Sequence, residues 1–213
     1  MKNSKIGDLQ PIKLPEPVFN RCRTVFEALK MRRTSRTISN KTISLQILSD
    51  ILWAAQGINR VNGPFGDSGR TAGSASNSQE IFVYIAMEKG TYLYEPNFHR
   101  LTPVAVGDSR ALAIGPGQGR AGAKAPVRFI YVVDIERFKN AGFQEPGLYD
   151  AEIQKSYYFV DTGLIAQNVY LASSALGLAS WFHNCNKAAL KKKLTLKPHQ
   201  CALFGQTIGY ADD

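Results

Sequence analysis

Residues 148–178, LYDAEIQKSYYFVDTGLIAQNVYLASSALGL, form a long proline-free run. Within it Val160, Leu164, Gln167, Leu171, Ser174 and Leu178 recur at three- and four-residue steps, while Ile165, Val169 and Ala172 cover a neighbouring face. That period belongs to an α-helix, and a helix apolar on most sides is a buried one. At 1.5 Å per residue it would span roughly 45 Å, longer than a compact domain of this size needs. A long buried core helix is expected, with either a break near Gly163 or a role in supporting a subunit interface.

Outward from this helix the chain mixes element types. Val25, Phe26 and Leu29 sit at helical spacing within residues 22–31. Residues 45–56 predict a second helix, capped by Ser44, with Leu48, Ile51, Leu52 and Ala55 on one face and Gly57 at its end. Residues 61–73 read as a Gly/Ser/Arg loop. Strands are expected over 81–87 and 91–94, split by a turn at Glu88-Lys89-Gly90, with a third over 99–103. Residues 126–133 are almost continuously apolar and β-branched, the pattern of a strand buried on both faces. A short basic helix over 187–193 and a strand over 201–210 close the chain. No regular βαβ alternation appears, so the expected class is α+β. Residues 1–20 read as an extended lead-in, and 21–213 as a single domain.

Bulk properties restrict function. With 213 residues, 44% of them hydrophobic, there is ample core for one domain. A formal charge of +9 suits a phosphorylated ligand or a polyanion, and equally an ordinary basic enzyme. A nucleic-acid binder should cluster its basic residues with aromatics between them; here they are spread along the chain, and no nucleic-acid partner is expected. Cys22, Cys185 and Cys201 are odd in number and form no CxxC pair. They suit a reducing, cytoplasmic setting over a disulfide scaffold, and with His183 they fall short of a metal site, so no metal is expected. The first residues show no apolar leader core, although a chain trimmed of a signal peptide would look the same. Asp161, Gln167 and Asn168 interrupt the longest apolar stretch, so no membrane span is expected.

Three segments bear on chemistry. Arg32-Arg33-Thr34-Ser35-Arg36 places three guanidiniums and two hydroxyls where a helix runs out into a loop. Arginine forks match phosphate oxygens in geometry and charge, and the hydroxyls add neutral donors. The plainer alternative is a solvated basic helix end, favoured by the helix dipole. Gly73-Ser74-Ala75-Ser76-Asn77-Ser78-Gln79 is a run of small, hydroxyl and amide side chains before an apolar strand. It would let backbone approach a flat ligand closely, with amides to pair against ring edges, or it is an ordinary turn. Gly117-Gln118-Gly119-Arg120-Ala121-Gly122 satisfies GxGxxG. A dinucleotide loop needs a strand before and a helix after, and Pro126 blocks that helix, so a glycine-rich loop at a cleft edge is expected instead.

Taken together these residues resemble one family. The arginine cluster looks like the Arg-Arg-Ser-x-Arg motif of the nitroreductase family of FMN flavoproteins, with Thr34 in the serine position. Residues 70–79 are similar to its Pro-Ser-Ala-x-Asn-x-Gln segment. Residues 161–178, with Ala166-Gln167-Asn168 and Ala175-Leu176-Gly177-Leu178, look like its long core helix, and Ile208-Gly209-Tyr210 resembles its Ile-Gly-Tyr-Pro. Leu52-Trp53-Ala54-Ala55-Gln56-Gly57-Ile58-Asn59-Arg60 is typical of the branch near SagB-type dehydrogenases. The match runs over about residues 25–210.

The resemblance implies an antiparallel central sheet flanked by helices, in a homodimer with two FMN sites at its interface. Arg32 and Thr34 would hold the FMN phosphate with help from Arg33, and Arg36 would sit by the pyrimidine edge of the ring. Asn77 would pair with the ring's N3/O4 edge beside Ser74 and Gln79. Phe182, His183 and Asn184 would pass near flavin N5. The implied activity is hydride transfer from NAD(P)H through N5 to a small acceptor such as a nitroaromatic or quinone, by a ping-pong cycle. No catalytic acid or base is assigned; His183 is either a proton donor or a packed structural histidine. Two departures stand out. Gly73 replaces the usual proline. The chain also has Ala211-Asp212-Asp213 where a basic residue often completes the phosphate site, which leaves Arg33 or a lysine of 191–193 as substitutes. Oxidation of a specific substrate such as a peptide azoline is the alternative activity, and a non-enzymatic polyanion binder the alternative class.

Overall fold

A computed structural model describes residues 6–20, 22–118 and 125–212. Among these residues, seven strands form one antiparallel sheet in the order β1-β6-β5-β4-β7-β9-β8. In chain order they are β1 (Ile12–Lys13), then β4 (Ile81–Ala86), β5 (Gly90–Glu95), β6 (Arg100–Val106), β7 (Val127–Asp134), β8 (Ala179–His183) and β9 (Gln200–Gly209). A separate hairpin pairs β2 (Ile58–Arg60) with β3 (Gly69–Arg70). The helices are α1 (Val25–Met31), α2 (Leu45–Gln56), α3 (Glu136–Lys139), α4 (Ala151–Ala175) and α5 (Lys187–Lys193). The α+β architecture with its antiparallel sheet and long helix agrees with the sequence.

Local chemistry explains the boundaries. Thr24 and Glu27 form a reciprocal capping box that starts α1 at Val25, so residues 22–24 lie outside the helix. Ser44 Oγ accepts the Ile47 amide at 3.2 Å and starts α2 at the expected residue. β7 is buried along its whole length, as a continuous apolar run predicts, because it lies inside the sheet between β4 and β9 with helices on both faces. Val83, Ile85, Phe129, Tyr131 and Val133 face the α2 and α4 side of the sheet. Tyr84, Ile130 and Val132 face the other side, where Leu190 of α5 and Leu194 just after it cover them.

Two expectations change. Residues 61–73 contain β3 and pair back onto β2, so the segment is a hairpin as well as a loop. Its strands are only three and two residues long, too short for an alternating pattern. The long helix runs unbroken through Gly163 from its Asp150 cap, and it is buried on one side only. Ile165, Ala166 and Val169 are in the core, whereas Val160 is 60% and Leu164 46% exposed. Apolarity all round marks contact on all sides, but it does not say whether the contact lies within the chain. The helix stops where Gly177 turns left-handed (φ +75°) and Leu178 N donates to Ser173 O at 2.8 Å.

Candidate functional site

The arginine cluster folds into a cleft of about 400 Å³ between the end of α1, the C-terminal half of α4 and the edge strand β8. Lys30, Arg32, Arg33, Ser35, Tyr170 and Ser180 line it, with no carboxylate among the lining residues. Local pairing sets this geometry. Arg32 N donates to Ala28 O as α1 ends, and the chain then bridges β8 at Thr34–Ser180, with Ser35 N on Ser180 O at 3.0 Å. It continues along the C-terminal segment, where Ser39 N donates to Tyr210 O and Asp212 N to Thr37 O. The tail that lacks a basic residue is therefore next to the cleft, and Ala211 lines it. Lys193, one proposed substitute, donates to Val106 O at 2.9 Å. Lys30 lines the cleft instead.

Tyr170 organises the cleft floor. The Arg32 guanidinium lies 5.3 Å over its ring. Its hydroxyl accepts the Phe182 amide at 2.8 Å and lies 3.1 Å from Thr34 Oγ1, to which it can donate. Arg36 turns to the Trp181 ring, 5.8 Å away.

Ser74, Asn77 and Gln79 lie elsewhere, in a tight loop against the middle of α4. Ser76, Asn77 and Gln79 all have positive φ, so the loop is strained and needs outside support. Gln79 N donates to Ser74 Oγ at 3.0 Å, and its side-chain amide donates to Ser68 O and Asn77 Oδ1. Arg70 Nε donates to Gln79 Oε1 at 2.8 Å, and Asp161 Oδ2 accepts the Ala75 amide at 2.9 Å. From Asp161 to Ser174, which lines the arginine cleft, α4 rises about 20 Å. One chain thus carries the cation group and the amide loop at two stations along the same helix.

On β8, Phe182 packs against Tyr131 and Phe204 on the α4 face. His183 points to the opposite face and is buried. Its Nδ1 is 2.8 Å from Asn184 O, which can only accept, so Nδ1 carries the hydrogen and Nε2 accepts from Thr207 Oγ1 at 2.7 Å. Burial lowers its pKa to about 4, with Arg128 adding to the effect, so the ring is neutral near pH 7 and holds its hydrogen in a fixed bond. That is the packed structural histidine. Asn184 is exposed, and its carbonyl accepts Gly115 N at 2.9 Å, which ties the glycine-rich loop to the end of β8. Of the GxGxxG run, residues 119–122 lie outside the described residues; β7, not a helix, begins at Val127.

The sequence profile of the nitroreductase family matches residues 29–210. The chain belongs to the nitroreductase family. A Methanocaldococcus jannaschii protein named as a nitroreductase is 27% identical over 186 residues, 82% of this chain and 84% of that protein. A Ralstonia eutropha JMP134 crystal structure, also named as a nitroreductase, is similar at 27% identity and a TM-score of 0.82 over 95% of this chain and 90% of that one. The Escherichia coli microcin synthetase McbBCD complex shares the fold over 100% of this chain and 80% of the matched chain, with 18% identity and a TM-score of 0.68. Nitroreductase-family proteins are oxidoreductases that typically use a flavin, and the chain is an oxidoreductase of that family. Among the described residues no group of His, Cys, Asp or Glu could hold a metal ion, and no helix is long and apolar enough to cross a membrane.

Three residues that build the cleft and the loop escaped the sequence. Lys30 was legible in principle, two residues from Arg32 at the end of a helix. Tyr170 and Asp161 were not, because their roles depend on what α4 packs against.

Proposed function

We propose that the chain is an FMN-dependent NAD(P)H oxidoreductase. The observation that carries this reading is the cleft lined by Lys30, Arg32 and Arg33 with no carboxylate. Three cations beside the Ser35 and Ser180 hydroxyls are a donor set suited to a phosphate dianion. Beyond Leu178–Ser180, Phe182 is partly exposed on the α4 face of β8, an aromatic surface that fits a flat ring attached to that phosphate. The residues present therefore fit FMN. Arg32, Arg33 and Lys30 hold the phosphate, Thr34 is set by Tyr170, and Arg36 supplies positive charge near the ring's pyrimidine edge. Bound FMN would supply the redox chemistry, taking hydride from NAD(P)H at N5 and passing it to a nitroaromatic, quinone or similar acceptor in a ping-pong cycle.

Ser74, Asn77 and Gln79 are about 20 Å along α4 from this cleft, so the ring-edge loop comes from a second copy of the chain. The exposed apolar side chains of α1 (Val25, Phe26) and α4 (Val160, Leu164) support a homodimer with FMN at its interface. The purified protein should be yellow, with flavin absorption that bleaches on adding NADH or NADPH. Protein that stays colourless after soaking in FMN would exclude the proposal. The Leu52–Arg60 stretch keeps a second reading, a dehydrogenase of a specific substrate such as a peptide azoline. Bound flavin that neither nicotinamide reduces would favour it.

A further inference from the structure

Two acidic side chains, from elements far apart in sequence, meet beneath the Ser74–Gln79 loop. Glu80, immediately before β4, is fully buried, and Asp161 of α4 is 5% exposed. Both line one small cavity of about 20 Å³, together with Gln56 from α2, Arg70 from β3 and the loop residues Ser74 and Gln79. Glu80 Oε2 accepts Ser78 Oγ at 2.7 Å, while its Oε1 has no hydrogen-bond partner. Asp161 Oδ2 accepts the Ala75 amide at 2.9 Å. The two carboxyls thus grip the loop from both ends, at Ala75 and at Ser78.

Two carboxylates cannot both ionise in such a place without strong repulsion and desolvation. We propose that Glu80 and Asp161 are positioning residues that share one proton, and that this proton clamps the Ser74–Gln79 loop in the conformation that presents Ser74, Asn77 and Gln79 to the flavin edge. The proton resides on Glu80, whose Oε1 is the oxygen left unbonded beside Asp161 in the shared cavity; burial raises the Asp161 pKa as well, but the Ala75 amide and the Glu80 carboxyl both favour its charge, so Asp161 is the ionised member. The other charged group lining the cavity is Arg70, whose Nε and Nη2 go to Gln79 and Asn97. Gln56 and Gln79 are neutral. Tyr157, one turn before Asp161 on α4, also feels the Asp161 charge and donates to Glu145.

When the proton leaves, the loop is what yields. Asp161 is held within a continuous helix, and the Glu80 carbonyl accepts Asp134 N beside the sheet. The loop, by contrast, has three non-glycine residues at positive φ that are kept there by these contacts. Burial, and then the Asp161 charge, push the Glu80 pKa from 4.5 up to about 8. The raised value fixes the sign: the folded state gains from the proton fully below pH 4.5, and that gain is lost as pH rises through about 8.

The clamp rests on the flavin reading only for what the loop presents, so two measurements are needed on the full chain. Hydrogen exchange at residues 74–79 without FMN, corrected for intrinsic pH dependence, should show one step in protection, falling by up to about tenfold per pH unit above pH 4.5 and levelling off beyond about pH 8, as the closed loop loses its extra proton. The near-isosteric Glu80→Gln should abolish that step. Should Glu80→Gln fail to fold, Asp161→Asn keeps an acceptor for Ala75 and should move the step to lower pH. Protection independent of pH, or the same step in Glu80→Gln, overturns the clamp. FMN affinity should follow the same step, read by quenching of FMN fluorescence. A protection step without a matching FMN step upholds the clamp and overturns the placement of the loop at the flavin.

Discussion

Lys30 in the last turn of α1 and Arg32 just after it line one cleft, and each is worth testing singly. A charge-assisted bond to phosphate contributes about 1.5–3 kcal/mol, so Arg32→Ala and Lys30→Ala should each weaken FMN roughly 10- to 100-fold by fluorescence titration. If the Lys30→Ala loss is within twofold, Lys30 is not the cation that replaces a basic tail. Tyr170 is different in kind. Tyr170→Phe keeps the ring under Arg32 but removes the acceptor of the Phe182 amide. Leaving that donor unsatisfied should cost about 1–3 kcal/mol in urea unfolding, and FMN affinity should fall with it. Unchanged stability would mean that the Phe182 amide finds another partner. His183 illustrates what residue type alone leaves open: a histidine near a proposed N5 position suggests proton transfer, and only its two occupied nitrogens and its buried face make it structural.

At the scale of elements, local signals were read well where they are local. Ser44 and Gly57 bound α2 at the expected residues, and the unbroken apolar run of β7 is buried as its pattern requires. The basic α5 spans the expected residues as well. The end of α4 follows from one residue: Gly177 sits at φ +75°, a conformation that costs a Cβ-bearing residue about 1 kcal/mol. Gly177→Ala should therefore lower unfolding stability by about that amount, measured in urea; no loss would mean the turn has relaxed. The short strands β2, β3 and β8 were not legible. Two to five residues carry too little alternation, and pairing with β3, β2 or β9 is what makes them strands.

For the whole molecule the exposed side of α4 is the informative surface. Val160, Gly163, Leu164 and Gln167 form a stripe at helical spacing that the fold of one chain leaves uncovered. In the proposed dimer that stripe is an interface, and the FMN site needs both copies. Val160→Asp with Leu164→Asp should then give a monomer by sedimentation velocity and also remove bound flavin, although neither residue lines the arginine cleft. A dimer that persists with flavin intact would place the interface elsewhere.

By itself the sequence determined the α+β class, the limits of α2 and α5, the central buried strand and the family, because each rests on periodicity, capping or a motif read within a few residues. It also named the arginine cluster and the amide loop. Only the tertiary structure decided that these lie at two stations of α4, and that Lys30 and Tyr170 join the first while Glu80 and Asp161 support the second. It also showed that α4 is buried on one side alone. Those facts depend on distances between segments dozens of residues apart, and on which face of a uniformly apolar helix meets the sheet. A one-dimensional pattern carries neither.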